Sequence, residues 1–211
     1  MNRSKCLLAT IAILTLPTAS RGDLVINITG TTGSNVITFE ALGSVTVTSV
    51  ITGESSSSGR APGTGGTWDS TYDNNIGDPI IAASSQTNVN LSSVVTYFAN
   101  GTSFGTFDQI DFGATATPGG DDIGLDPAGT LAYPTLAIGD VVSWSGTGTF
   151  SLGSGETFDT FFQTGSFSNP IDGGSYIVNI TEASAGVPEP ASGVLMAFVG
   201  VLCCARRPRR Q

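Results

Sequence analysis

Histidine is absent from the 211 residues, and lysine occurs once, as Lys5. The three cysteines, Cys6, Cys203 and Cys204, all lie near the ends of the chain. The long middle section therefore has no imidazole or thiolate with which to bind zinc, copper or haem, and it can form no internal disulfide. Hydrolysis by a Ser-His-Asp or Cys-His arrangement and Schiff-base catalysis by lysine are excluded there for the same reason.

Basic residues are also scarce in this middle section, residues 23–187. Arg60 is its only basic residue, whereas sixteen of the chain's 17 carboxylates lie there. Nucleic acid is thereby excluded as a natural partner, because phosphate binding requires lysine and arginine side chains. The acidic balance fits either a well-hydrated surface that keeps an exported protein soluble or a surface that binds divalent cations.

Short runs in which apolar and polar residues alternate predominate in this section, and no stretch has a sustained helical period. In the clearest run, residues 142–150, Val142, Trp144 and Phe150 fall on one side, and serine and threonine residues fall on the other. Alternation with a period of two indicates strands. Residues 23–182 are therefore predicted to form one all-β domain, a sandwich whose most natural form is jelly-roll-like, with a right-handed β-helix as the alternative.

Two similar runs, residues 24–29 and 176–181, open and close this domain and echo each other. A slip of phase at residues 49–51 indicates a bulge. Residues 53–67 are rich in glycine and serine and are predicted to form a mobile loop. Further strands are predicted at residues 35–40, 80–83, 89–98, 107–112, 130–138 and 157–167.

Acidic turns are the first candidates for a binding site. In residues 119–126, glycines let the backbone curl and bring together Asp121, Asp122 and Asp126, a set of oxygen ligands that suits Ca²⁺. Residues 73–78 form a weaker calcium candidate, and Asp108 and Asp111 would share a side of their strand only if a bulge intervened. The alternative for both turns is ordinary Asx-turn chemistry, which needs no metal.

Aromatic residues give a second candidate site. Trp68 follows the predicted mobile loop and, with Tyr72 and Asp69, is predicted to form an exposed platform on which a sugar ring stacks, as in a lectin-like module. Paired carboxylates can also cleave glycosides, but no spacing in this chain singles out a pair. The chain is accordingly predicted not to be an enzyme, and no cofactor is predicted beyond the calcium candidate.

The beginning of the chain has the pattern of a secretory signal peptide. Arg3 and Lys5 precede an apolar run at residues 6–16, which is followed by Pro17 and small residues. This is the order of a charged, an apolar and a cleavage region. Residues 1–22 are predicted to form a signal helix that is removed by cleavage before Asp23.

The last residues have the pattern of a membrane stop signal. After a linker at residues 183–187 come Pro188, Glu189 and Pro190, and then an apolar span at residues 191–205. Arg206, Arg207, Arg209 and Arg210 end the chain in a basic cluster, residues 206–210. The span is predicted to form a single membrane-spanning helix that, at about 1.5 Å per residue, reaches roughly 22 Å across the inner membrane with the arginines on the inner side.

These three parts in this order resemble the bacterial PEP-CTERM sorting signal, and the resemblance covers residues 188–211 only. It implies recognition by an exosortase, a membrane-embedded processing enzyme, then removal of the tail and release to the cell surface or medium. Proteins with this signal are commonly associated with extracellular polysaccharide and biofilm matrix. The chain is therefore expected to be an exported surface or matrix protein with a structural or adhesive β domain; a glycan- or calcium-binding module and a carboxylate-dependent glycoside hydrolase are the alternatives.

Overall fold

A computed structural model describes residues 22–70, 76–81, 88–114 and 120–183. Strands account for most of these residues, and the only helix among them is a single turn, so the predicted all-β class is confirmed. The elements are β1 (Asp23–Gly30), β2 (Val36–Thr46), β3 (Glu54–Ser56), β4 (Arg60–Pro62), β5 (Trp68–Ser70), β6 (Val89–Ala99), β7 (Thr102–Gly113), β8 (Asp122–Asp126), β9 (Leu131–Tyr133), β10 (Val141–Ser151), α1 (Phe158–Phe161), β11 (Gly165–Ile171) and β12 (Gly174–Glu182).

Eight strands form one sheet in the order β11-β12-β1-β2-β10-β6-β7-β8. Neighbours are antiparallel except β1 and β12, which pair in parallel with Leu24 opposite Tyr176 and Ile28 opposite Ile180. The two runs that echo each other in the sequence are therefore neighbours, and their matching phases place both apolar rows on the same side. The alternation in the sequence predicts which face of each strand is buried, but it carries no information on which strands pair.

The inner face of this sheet is the hydrophobic core. In β10, Val142, Trp144 and Phe150 are buried, as predicted, while Ser145 and Thr147 on the other face are exposed. Aromatic side chains supply much of the packing, and the largest fully buried side chains include Trp144, Tyr97, Tyr176, Phe39, Phe107, Phe112, Phe158 and Phe161. Such rings bury large apolar areas, which suits a domain that has no disulfide.

The sheet is curled, because strands far apart in its order meet across the core. The hydroxyl of Tyr176 on β12 donates a hydrogen bond to the carbonyl oxygen of Ile123 on β8, although five strands separate β12 from β8 in the sheet. Residues 76–81 help to fill the remaining gap. Gly77 bridges to Asp121 just before β8, and Ile80 bridges to Phe162 just before β11.

Two small sheets, β3 with β9 and β4 with β5, lie beside the main sheet. They include part of residues 53–67, so the prediction of a mobile loop there is wrong for the segments that form β3 and β4. An ion pair joins Arg60 Nε and Glu54 Oε1 within this segment at 3.0 Å. The glycine- and serine-rich composition predicted a loop, and alternation cannot reveal strands of only three residues.

Three other predicted elements differ from the structure. Residues 157–167 were predicted to form a strand, but they begin with α1, in which Phe158 and Phe161 are buried together at helical spacing; β11 starts only at Gly165. The predicted bulge at residues 49–51 is also wrong, since β2 ends at Thr46 and Ile51 forms an isolated bridge to Leu136. Of the strand predicted at residues 80–83, the structure describes only the single bridge at Ile80 and the following residue.

Neither terminal helix prediction falls within the described residues: the signal peptide occupies residues 1–22, of which only Gly22 is described, and the apolar span occupies residues 191–205. Among the residues that the structure does describe, no helix is long and apolar enough to cross a membrane. Both terminal helices stay predictions from the sequence.

Candidate functional site

The predicted calcium residues lie on or beside β8, an edge strand of the main sheet. Asp122 and Asp126 share one face of β8 with Gly124, while Ile123 and Leu125 on the other face belong to the core. The prediction that residues 119–126 form an acidic turn is thus wrong from Asp122 onward. On the neighbouring strand, Asp111 pairs with Gly124 and therefore lies on the same acidic face.

Backbone N–H groups from three separate segments donate to the carboxylates here. Gly59 donates to Asp126 Oδ1 at 2.6 Å, Ile80 donates to Asp121 Oδ2 at 3.0 Å, and Asn88 donates to Asp111 Oδ1 at 3.1 Å. The side chains are also largely covered, with Asp111 and Asp126 each 7% exposed and Asp121 2% exposed. These carboxylates therefore attach connecting segments to β7 and β8, and a hydrogen bond to a charged acceptor is stronger than one between neutral groups.

The electrostatics of this face follow from burial. Burial raises the pKa of the Asp111 carboxyl, although hydrogen bonds from Asn88 and Phe112 oppose the rise. Burial also raises the pKa of Asp126; the nearby Asp111 charge adds to this rise, whereas the Gly59 hydrogen bond and the Arg60 charge oppose it. The structure thus brings Asp126, rather than Asp108, close to Asp111. Sequence reasoning missed this pair because its members come from different strands.

The geometry gives calcium little support. Ca²⁺ usually takes six to eight oxygen ligands. Within the described ranges, no group of three or more acidic, histidine or cysteine side chains is arranged to hold a metal ion. Asp121 and Asp126 instead accept hydrogen bonds from two different segments. Calcium binding at Asp121, Asp122 and Asp126 stays a sequence prediction, and most of the second candidate, residues 73–78, lies outside the described residues.

Trp68 is a core residue and not a surface platform. It is 2% exposed, and its ring lies 5.1 Å from that of Tyr133 and 5.9 Å from that of Phe104 between centroids. The indole Nε1 donates to the carbonyl oxygen of Pro134 at 2.9 Å, so the polar atom is also satisfied inside the protein. The prediction that Trp68 is exposed for sugar stacking is therefore wrong, and Tyr72 lies outside the described residues.

Rows of polar side chains cross the outer face of β12, β1, β2 and β10. Asn179, Asn27, Glu40 and Thr147 stand in register on these four strands, and we call them the amide row. Asn179 Nδ2 donates to Asn27 Oδ1 at 3.0 Å, and Asn27 Nδ2 donates to Glu40 Oε2 at 3.0 Å. The row is thus a hydrogen-bonded chain that ends in a carboxylate.

The adjacent row on this face consists of threonines, which we call the threonine row: Thr181, Thr29, Thr38 and Thr149. The hydroxyls of Thr29 and Thr181 are 3.1 Å apart and hydrogen-bonded. Sequence reasoning anticipated hydroxyls on the outer face of β10, but the alignment of polar residues from four strands depends on strand order and register. No signal in a single chain specifies that alignment.

The residues of the predicted sorting signal, Pro188 to Pro190 and Arg206 to Arg210, lie outside the described residues, so their conformation is not part of this site. No protein-family model matches this chain, and comparisons with curated proteins and with solved structures give no significant match.

Proposed function

We propose that this chain is an exported surface or extracellular-matrix protein that is sorted through its C-terminal tail by an exosortase-type enzyme. The observation that carries the proposal is the order of three features at the end of the chain: Pro188-Glu189-Pro190, the apolar span at residues 191–205 and the terminal arginines. The signal-peptide pattern at residues 1–22 supports the same export route. The tail is held in the inner membrane during sorting and then removed.

The β domain acts in this proposal as a structural or adhesive module. Its carboxylates support this role, because Asp111, Asp121 and Asp126 accept backbone hydrogen bonds that attach connecting segments to the sheet. Its outer face supports adhesion, because the amide row and the threonine row present regularly spaced polar groups.

We further infer that the architecture is sandwich-like. The curled eight-stranded sheet forms one layer, and the two small sheets contribute to the other. Two contacts support such a second layer. Ile51 and Leu136, which flank β3 and β9, form a bridge, and Trp68 on β5 donates to Pro134, the residue after β9. The jelly-roll form of the sandwich gains no support from the parallel pairing of β1 and β12, because a jelly roll does not require such a pair.

The test is the intact mass of the protein recovered from the producing cells, measured separately in the membrane and in the culture medium. The expected result is a species in the medium that begins near Asp23 and ends near Pro188. Glu189→Gln in the tripeptide should cause the full-length tail to accumulate in the membrane. The matched control is Glu182→Gln, the same change at the end of β12, which should leave processing unchanged. Retention of residues 191–211 in all recovered wild-type protein would make the tail a simple anchor and overturn the sorting proposal.

A further inference from the structure

We propose that the amide row and the threonine row form a docking surface for a linear polysaccharide that carries free amino groups. This inference rests on the proposed function as a surface or matrix module, and it specifies the partner of the β domain. The surface lies on the outside of β12, β1, β2 and β10, and the buried Trp68 is not part of it.

Spacing makes this face suitable for an extended polymer. Neighbouring strands in a sheet lie about 4.8 Å apart, and residues two apart on one strand are separated by about 7 Å. Register places one polar side chain per strand in each of the two rows. A polymer that crosses the strands therefore meets a hydrogen-bonding group at regular intervals over about 14 Å, the width of four strands.

The direction of the hydrogen bonds determines which chemistry the amide row can accept. Asn179 and Asn27 each use an amide N–H group inside the row, and the chain of donors ends on the Glu40 carboxylate in β2. A carboxylate is an acceptor only, and its strongest partners are charged donors such as an ammonium group. Threonine hydroxyls in the adjacent row both donate and accept, which suits sugar hydroxyls.

Charge distinguishes an amino polysaccharide from an acidic one. Arg60 is the only basic residue among those described, and it pairs with Glu54 on the small sheets at 3.0 Å, away from this face. The outer face therefore offers no cation to an acidic polysaccharide, whereas Glu40 offers an anion to an amine. Complementary charge favours the cationic polymer and repels the anionic one.

Apolar contact adds to this polar recognition. A third row beside the amide row contains Val25, Ile177 and Leu42, again in register on β1, β12 and β2. Val25 is buried, at 5% exposure, so the partly exposed Ile177 and Leu42 on either side of it supply the accessible aliphatic surface. Sugar rings have apolar C–H faces as well as hydroxyls, so a polar row next to an aliphatic row matches both parts of the ring.

The experiment measures binding of glucosamine oligomers to the purified protein by calorimetry, using the protein as recovered from the cells. N-acetylated oligomers of the same length and a polyuronate of similar size are the comparison probes. Glu40→Gln should weaken binding of the glucosamine oligomer about tenfold, which corresponds to the loss of one charge-assisted hydrogen bond. Thr38→Val, which keeps the side-chain shape, should weaken it about threefold. Asp69→Asn removes one negative charge from β5, in one of the small sheets, and should change binding less than twofold.

Equal binding of the acetylated and the free amino oligomers would overturn the assignment of an amine-bearing partner. The same loss in Asp69→Asn as in Glu40→Gln would show general charge attraction instead of a docking surface, and absence of binding would reject the surface altogether. The intact mass of the same samples reports tail processing independently. A processed protein that does not bind therefore leaves the sorting proposal standing, whereas an unprocessed protein that does bind overturns only the sorting proposal.

Discussion

The hydroxyl of Tyr176 donates to the carbonyl oxygen of Ile123, and this bond joins the second strand of the main sheet to the eighth. Ile123 lies on the edge strand β8 and is fully buried, so its carbonyl oxygen depends on a donor from within the protein. A single phenol from the far side of the sheet supplies this donor and helps to fix the curl.

Removing this hydroxyl should destabilise the domain. Tyr176→Phe leaves the ring in place but deprives the buried Ile123 carbonyl of its donor, so the free energy of unfolding should fall by about 1–3 kcal/mol in urea titrations. The matched control is Tyr97→Phe. The Tyr97 hydroxyl is also buried but has no hydrogen-bond partner among the described residues. Its removal should be neutral or stabilising, and an equal loss in both variants would contradict the role assigned to Tyr176.

Asp172 should be sensitive to substitution by asparagine. It accepts hydrogen bonds from the backbone N–H and hydroxyl groups of both Thr48 and Ser49, at 2.6–3.1 Å, and so connects the β11–β12 turn to the segment after β2. Asp172→Asn replaces one acceptor oxygen by a donor and should cost about 1–3 kcal/mol of stability. Urea unfolding at pH 7 measures this loss.

The pH dependence of the stability provides a further check on the role of the Asp172 carboxylate. Burial opposes ionisation of its carboxyl, but the four hydrogen bonds outweigh burial and lower the pKa. A carboxyl whose folded pKa is depressed contributes stability above its unfolded pKa, and this contribution is lost as the pH falls through the folded value. The wild type should therefore lose its advantage over Asp172→Asn in acid. An advantage that persists at low pH would show that the loss arises from packing.

Substitution of Asp126 by asparagine should have the opposite pH dependence to that of Asp172→Asn. Its pKa is raised by burial and by the neighbouring Asp111 charge, so ionisation at neutral pH costs folding free energy. The contribution of such a group is greatest below its unfolded pKa and is lost as the pH rises through the folded value. Asp126→Asn keeps an oxygen that accepts from Gly59 and removes the charge. Unfolding midpoints from pH 3 to pH 8 should show a variant that is at least as stable as the wild type at pH 7, and a large loss at pH 7 would contradict this.

Gly43 should not tolerate a side chain. Its φ is +111°, and a Cβ atom there would lie 2.2 Å from the carbonyl oxygen of Asp23 on β1. Gly43→Ala combines backbone strain with a collision against the backbone of a paired strand, so the loss should exceed about 2 kcal/mol. Gly129→Ala is the control, because nothing lies within 4 Å of its Cβ position. Thermal unfolding should separate the two variants clearly, and similar melting temperatures would show that β1 and β2 can move apart.

The parts of the fold that were predictable are those in which the alternation is strong and one face is buried. Val142, Trp144 and Phe150 in β10 are the best example, because large apolar residues and small hydroxyl residues alternate over the whole strand. The strands predicted at residues 24–29 and 176–181 were predictable for the same reason. Pairing of β1 with β12 was not predictable, because it depends on contacts about 150 residues apart.

The candidate site was harder to predict because it contains buried carboxylates, whereas buried positions usually hold apolar side chains. Asp122 and Asp126 are polar residues in a buried edge strand, so the sequence reads as a turn until the backbone donors that cover them are known. Trp68 gives the opposite case. The glycine- and serine-rich residues before it suggest exposure, but Tyr133 and Phe104, which come from distant strands, enclose its ring.

The position of β12 between β11 and β1 also sets an order of events during synthesis. β12 ends at Glu182, so the sheet cannot be completed until almost the whole domain has been synthesised. Until then β1 and β11 each lack a neighbour, and a pairing between the first and last strands closes slowly because the intervening chain is long. A chain interrupted before Gly174 would therefore present two open strands at once and be prone to aggregation.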